Sequence, residues 1–170
     1  GDRAFSSDPQ VVAKIASGAI RGLQRGGVIA CAKHFPGHGD TDADSHIELP
    51  TVNHTVEQLK QREWIPFDRV IKGGVESVMT AHIFNPNLDP HLPATLSKTT
   101  LRYLREDLRF QKMIISDDLE MRGIADRFSI EEATRRAIEA CRYHDIYRQA
   151  KFFVFQYLFH LVFHIVITDY

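Results

Sequence analysis

The segment Lys33-His34-Phe35-Pro36-Gly37-His38-Gly39-Asp40-Thr41-Asp42-Ala43-Asp44-Ser45-His46 places one lysine, three histidines and three aspartates in fourteen residues. Three chemistries suit such a set. Asp40, Asp42 and Asp44 have the spacing that opens an EF-hand calcium loop. Ser45, however, stands where that loop needs glycine, and Thr51 where it needs a bidentate glutamate. His34, His38 and His46 with an aspartate are suitable transition-metal ligands, at spacings that match no recognised metal motif. The third chemistry is metal-free: Asp44 orients and charges His46, which then gives or takes a proton. A solvated polar loop accounts for the same composition without chemistry.

A second signal is Ile115-Ser116-Asp117-Asp118-Leu119. A carboxylate at a strand C-terminus, such as Asp117, can attack an electrophilic carbon, notably an anomeric carbon. It can equally cap the following turn. His82 closes a third segment, ESVMTAHI. His54 and His91 read as surface residues, Trp64 as core rather than a sugar platform, and Cys31 as a buried small hydrophobe.

The elements that must position these residues follow from periodicity. Asp8-Pro9 starts a helix whose apolar positions Val12, Ile15, Ala16, Ala19, Ile20 and Leu23 end at Gly26-Gly27. VIACAK (28–33) is a strand apolar on both faces. After a polar loop over 34–54, Thr55 and Gln58 form a capping box for a helix through Leu59, Ile65 and Phe67, bent at Pro66. ESVMTAHI (76–83) and KMIISD (112–117) are further strands. They alternate with helices opened by Ser97, with Leu101, Leu104 and Leu108 in a stripe, and by Ser129 with Glu132. Alternation of this kind is parallel β/α construction, in which ligands bind at the strand C-termini. Lys33-His34, His82 and Asp117-Asp118 all fall there. A complete barrel takes about 250 residues, so the expected fold class is α/β, a partial TIM-type (β/α) barrel of interior units, incomplete at both ends.

Composition sets the outer limits. Of 170 residues, 44% are apolar and 25% charged, which is one globular domain with a real core. Twenty-one basic against 22 acidic residues argue against nucleic acid or an anionic membrane as partner. Cys31 and Cys141 are too few for a disulfide framework. No signal peptide opens GDRAF, so the expected location is cytoplasmic.

KHFPGHGDTDADSH, followed by MTAHI, PATLS and SDDLEM, resembles the catalytic barrel of family 3 glycoside hydrolases, in the β-N-acetylglucosaminidase branch. The opening GDRAFSSDP resembles the loop before the KHFPGHG strand there, with Ser6 or Ser7 where that branch usually has glycine. The resemblance covers residues 1–140. It implies that Asp117 is the nucleophile of a covalent glycosyl-enzyme, His46 the general acid/base and Asp44 its dyad partner. It further implies that Lys33 and His34 contact sugar hydroxyls, that Arg3 lies near the substrate, and that His82 belongs to the same substrate-binding set. Asp118 is left as structural. The implied reaction is retaining hydrolysis of terminal β-linked N-acetylglucosamine from peptidoglycan fragments or chito-oligosaccharides, with no metal and no cofactor. An imidazole acid suits this chemistry, since its ordinary pKa of about 6.5 lies near neutral pH. Gly37 and Gly39 would let the loop swing it in and out. The alternative is an inactive truncated remnant of such an enzyme.

From Cys141 the chain departs from the resemblance. Residues 141–170 carry an apolar run, Phe152 to Thr168, slightly short for a membrane span of about 20 residues and crowded with aromatics and histidines. Cys141 to Gln149 can be encoded as TGC CGA TAT CAT GAT ATT TAC CGC CAA, which shifted by one base reads ADIMIFTA, a good buried strand. The tail is therefore expected to be out of frame.

Overall fold

The computed structural model of the chain describes residues 5–38 and 49–141, with the backbone of 152–153 and 163–166. Helix α1 (Pro9–Arg25) starts as the sequence requires: the Asp8 carboxylate accepts the Gln10 amide at 2.8 Å, and proline occupies the first turn. Gly26 caps it, and Gly27 at φ +76° turns the chain toward the sheet. Strand β1 (Ala30–Phe35) begins and ends two residues later than the apolar run suggests. Val28 N–H still closes the helix end on the Leu23 carbonyl at 3.0 Å, and Ile29 is 47% exposed. His34 thereby joins Lys33 as a strand residue.

Helices α2 (Val56–Gln61) and α3 (Trp64–Lys72) replace the single bent helix. The Thr55–Gln58 capping box is present in both directions. The break falls at Arg62–Glu63, not at Pro66, which sits in the first turn of α3, where its missing N–H needs no partner. Strand β2 (Ser77–Thr80) is followed by a 3₁₀ turn (Ala94–Leu96) and α4 (Lys98–Arg102), which widens into a π turn over Tyr103–Asp107. Strand β3 (Met113–Ile115), a short α5 (Arg122–Ala125) and α6 (Ile130–Cys141) complete the regular part. The tail contributes β4 (Phe152–Phe153) and β5 (Phe163–Val166).

All strands pair in parallel in the order β4-β3-β2-β1-β5, with Cys31 opposite Ser77 and Val78 opposite Ile114. The chain is α/β, a small parallel sheet with helices. One face of the sheet packs Ala30, Ala32, Val78 and Ile114 against α1 and α3 through Ile20, Phe67, Val70 and Trp64. Phe35 stacks on Trp64 at 5.7 Å and meets Phe67 edge-on at 5.5 Å. The other face carries the smaller cluster Cys31, Met79 and Ile115. Glu76 ties the lower ends together, accepting the Ala30 amide at 3.2 Å and the Gln24 side-chain amide at 2.7 Å. Among the described residues no helix is long and apolar enough to cross a membrane.

Candidate active site

Because β1, β2 and β3 are parallel, the residues that follow their last pairs lie at one end of the sheet. Lys33 lies two residues beyond Cys31 and Asp117 two beyond Ile115, in the strands that carry the small Cys31–Met79–Ile115 cluster. The Cys31 thiol registers both. Burial pushes its pKa up to about 11, nearby Lys33 lowers it, and the Asp117 carboxylate raises it. The thiol stays protonated and acts as core, as its position suggested.

His34 and Asp117 meet here: Nε2 lies 3.5 Å from Oδ2, and both side chains are partly open, at 16% and 23% exposure. Asp117 Oδ1 accepts its neighbour's amide, Asp118 N–H, at 2.9 Å. The carboxylate is thus held by the next residue's amide on one oxygen and faces an imidazole with the other. Next to it, Asp118 accepts the Glu120 amide at 2.9 Å. It closes the turn into α5, the structural role assigned from sequence.

Two contacts build the floor under the histidines. The Trp64 indole N–H donates to the Pro36 carbonyl at 3.0 Å. Gly37, at φ +134°, lies directly over Glu63, where a Cβ would stand 2.5 Å from Cγ. The peptide bonds Lys33–His34 and Phe35–Pro36 are both cis. The His38 ring meets the His34 ring edge-on, with centroids 5.8 Å apart. His54, expected as an ordinary surface residue, is half-buried with Nε2 2.9 Å from Arg62, whereas His91 is exposed.

His82 is placed differently from Lys33 and His34. It is buried at 1% exposure, with Nδ1 2.9 Å from Thr95 Oγ1 and Nε2 2.7 Å from the Asp118 carbonyl. Both ring nitrogens face the protein interior. Thr95 and the Asp118 carbonyl were not singled out from sequence; the PATLS segment that carries Thr95 was visible only as part of the resemblance. Arg3, Asp44 and His46 lie outside the described residues. Among the described residues no group of three or more His, Cys, Asp or Glu side chains is arranged to hold a metal ion.

The family model described as the glycosyl hydrolase family 3 N-terminal domain matches residues 1–164. A β-hexosaminidase of Nitrosospira multiformis is 41% identical over 140 residues, 82% of this chain and 40% of the relative. One of Thiobacillus denitrificans is 38% identical over 141 residues, 82% of this chain and 39% of the relative. The chain therefore spans about two-fifths of the length of these relatives. Among solved structures, the zinc-bound CbsA of Thermotoga neapolitana is 49% identical, with a TM-score of 0.78 over 81% of this chain and 31% of that one. NagZ of Neisseria gonorrhoeae in complex with N-trifluoroacetyl-D-glucosamine is 38% identical, with a TM-score of 0.74 over 82% of this chain and 40% of that one. A parallel sheet bearing the KHFPGHG, MTAHI and SDD segments at one end, matched over most of its length in sequence and in fold, belongs to glycosyl hydrolase family 3, in its N-terminal domain.

Proposed function

We propose that this chain carries the nucleophile side of a retaining β-N-acetylglucosaminidase site, acting on terminal β-linked N-acetylglucosamine in peptidoglycan fragments or chito-oligosaccharides. The observation that carries the reading is Asp117: a partly open carboxylate at the C-terminal end of β3, anchored through one oxygen and facing His34 with the other. The three β/α units are read as interior units of a TIM-type (β/α) barrel, whose active face is the strand C-terminal end. In the first step Asp117 Oδ2 attacks the anomeric carbon, and the glycosidic C–O bond breaks as His46, charged by Asp44, delivers a proton to the departing oxygen. In the second step His46 takes a proton from water, which attacks the same carbon and frees Asp117. Lys33 and His34 hold sugar hydroxyls, and Arg3 lies near the substrate. His82, whose ring nitrogens are engaged by Thr95 and the Asp118 carbonyl, is read as supporting the substrate-binding set from within the protein. The ligand class is consistent with the relatives, which are named as β-hexosaminidases and include a complex with an N-acylated glucosamine.

The second reading is an inactive remnant of such an enzyme. A chromogenic N-acetylglucosaminide separates the two. Turnover that Asp117→Asn reduces by about a thousandfold or more supports the active reading. Turnover indifferent to Asp117→Asn overturns it, and no turnover from the well-folded chain supports the remnant.

A further inference from the structure

Three segments that do no chemistry in this scheme, MTAHI, PATLS and the second aspartate of SDD, converge on one buried cluster. Thr80 Oγ1 donates to Thr95 Oγ1 at 3.0 Å, and Thr95 Oγ1 lies 2.8 Å from the Ala81 carbonyl and 2.9 Å from His82 Nδ1. His82 Nε2 reaches the Asp118 carbonyl at 2.7 Å, and that carbonyl also accepts the Met121 amide at 3.1 Å. Thr80, Thr95 and His82 are each exposed by only 1%. A carbonyl can only accept, so Nε2 carries the proton. His82 is therefore joined covalently to β2 and by hydrogen bond to the residue after Asp117. We propose that His82 is a positioning residue: its Nε2–H fixes the Asp118 carbonyl, which sets where the Asp117 carboxylate stands at the end of β3.

Thr95 supports this by fixing the ring. Its hydroxyl donates to the Ala81 carbonyl at 2.8 Å, and its oxygen lies 2.9 Å from Nδ1, which holds the ring edge-on with Nε2–H aimed at the Asp118 carbonyl. Burial lowers the His82 pKa and keeps the ring neutral against the opposing pull of Asp117 and the Asp118 carbonyl and carboxylate, with His38 lowering it further. A direct sugar contact would leave one ring nitrogen open toward the Lys33–His34 side, and neither is open.

The inference rests on Asp117 as nucleophile, and its test is built to fail separately from that reading. The Asp118 amide is bonded to Asp117 Oδ1 at 2.9 Å, so its hydrogen exchange reports the carboxylate's placement without any turnover. In the full chain, His82→Leu should speed exchange at Asp118 and Met121 by about tenfold while Val78 and Met79 in β2 keep wild-type rates. His82→Gln, whose amide donates from the Nε2 position, should restore the slow rates. Ring ¹⁵N spectra of the unmutated chain should show a protonated Nε2. In a preparation that turns substrate over, His82→Leu should lower kcat by at least about tenfold with KM within about threefold, and His82→Gln should recover most of it. Wild-type exchange rates in His82→Leu, failure of His82→Gln to restore them, or an Nδ1–H tautomer would each overturn the inference. Turnover insensitive to Asp117→Asn would overturn the functional reading instead, while the exchange and ring spectra would still decide what His82 holds.

Discussion

His34 and Asp117 define the candidate site at the scale of single residues. A carboxylate anchored by the amide of the next residue, Asp118, and facing an imidazole at 3.5 Å suits attack on an anomeric carbon. The relative solved with zinc makes the metal question worth settling directly. Turnover by an active preparation should persist after exhaustive chelation, and a loss restored by one divalent ion would return His34, His38 and His46 as ligands. At His46, alanine should slow substrates with poor leaving groups far more than activated aryl glycosides, which need little protonation. Equal losses on both would remove His46 as the acid. His82 makes a separate prediction for stability. Its folded pKa lies below the ordinary 6.5, so between the two values the unfolded chain binds a proton that the folded chain does not. Stability should therefore fall as pH drops through about 6.5 toward the folded value and stop falling on this account below it. Denaturant midpoints at about pH 7.5 and about pH 5.5 should differ less in His82→Gln than in the unmutated chain. An equal difference would mean that His82 does not carry the effect.

The elements show what fixes the approach to β1. Gly37 is required because its φ of +134° and the 2.5 Å from a Cβ to Glu63 Cγ leave no room for a side chain. Gly37→Ala should cost about 1–3 kcal/mol in denaturant unfolding. Trp64→Phe, which removes only the indole N–H on the Pro36 carbonyl, should cost about 1 kcal/mol beyond the change in packing. A Gly37→Ala variant as stable as the parent would show that the β1 exit is not clamped in this way. Much of this framework was legible: the Asp8 cap, the Thr55–Gln58 box, the three parallel strands and the burial of Cys31 and Trp64 all follow from local pattern. What escaped depended on partners distant in sequence. The helix break at Arg62–Glu63 depends on Glu63 lying beneath Gly37, and the function of PATLS depends on Thr95 meeting a histidine thirteen residues earlier. Strand β1 slid by two residues because a hydrogen bond from Val28 to the helix end competes with the sheet for its first residues. Of the candidate site, the gathering of His34 and Asp117 at one end of the sheet was legible from the strand pattern, whereas the burial of His82 was not, because a ring with both nitrogens turned inward reads in sequence like any other histidine at a strand end.

For the whole molecule, the sheet exposes no bare edge at β1 or β3, since β5 and β4 pair there through residues 163–166 and 152–153. In a β/α succession the strand after α6 belongs beside β3, the place that Phe152–Phe153 takes. Relatives align over 140 or 141 residues, and the family model runs to residue 164. We propose that the chain leaves its original frame near Cys141, and sequencing the locus tests this: the DNA for Cys141–Gln149 should read ADIMIF in a neighbouring frame. DNA that cannot be read so makes the tail a genuine part of the fold. Either outcome leaves the central claim, that Asp117 bonds covalently to the sugar, open to a direct measurement. A 5-fluoro N-acetylglucosaminyl fluoride slows breakdown of a glycosyl-enzyme more than its formation, so the intermediate accumulates and can be weighed. After proteolysis, mass spectrometry should find one added 5-fluoro-N-acetylglucosaminyl residue on the peptide bearing Asp117 and none in Asp117→Asn. An adduct on Asp118 or another carboxylate, or turnover of a chromogenic substrate with no adduct formed, would contradict the account.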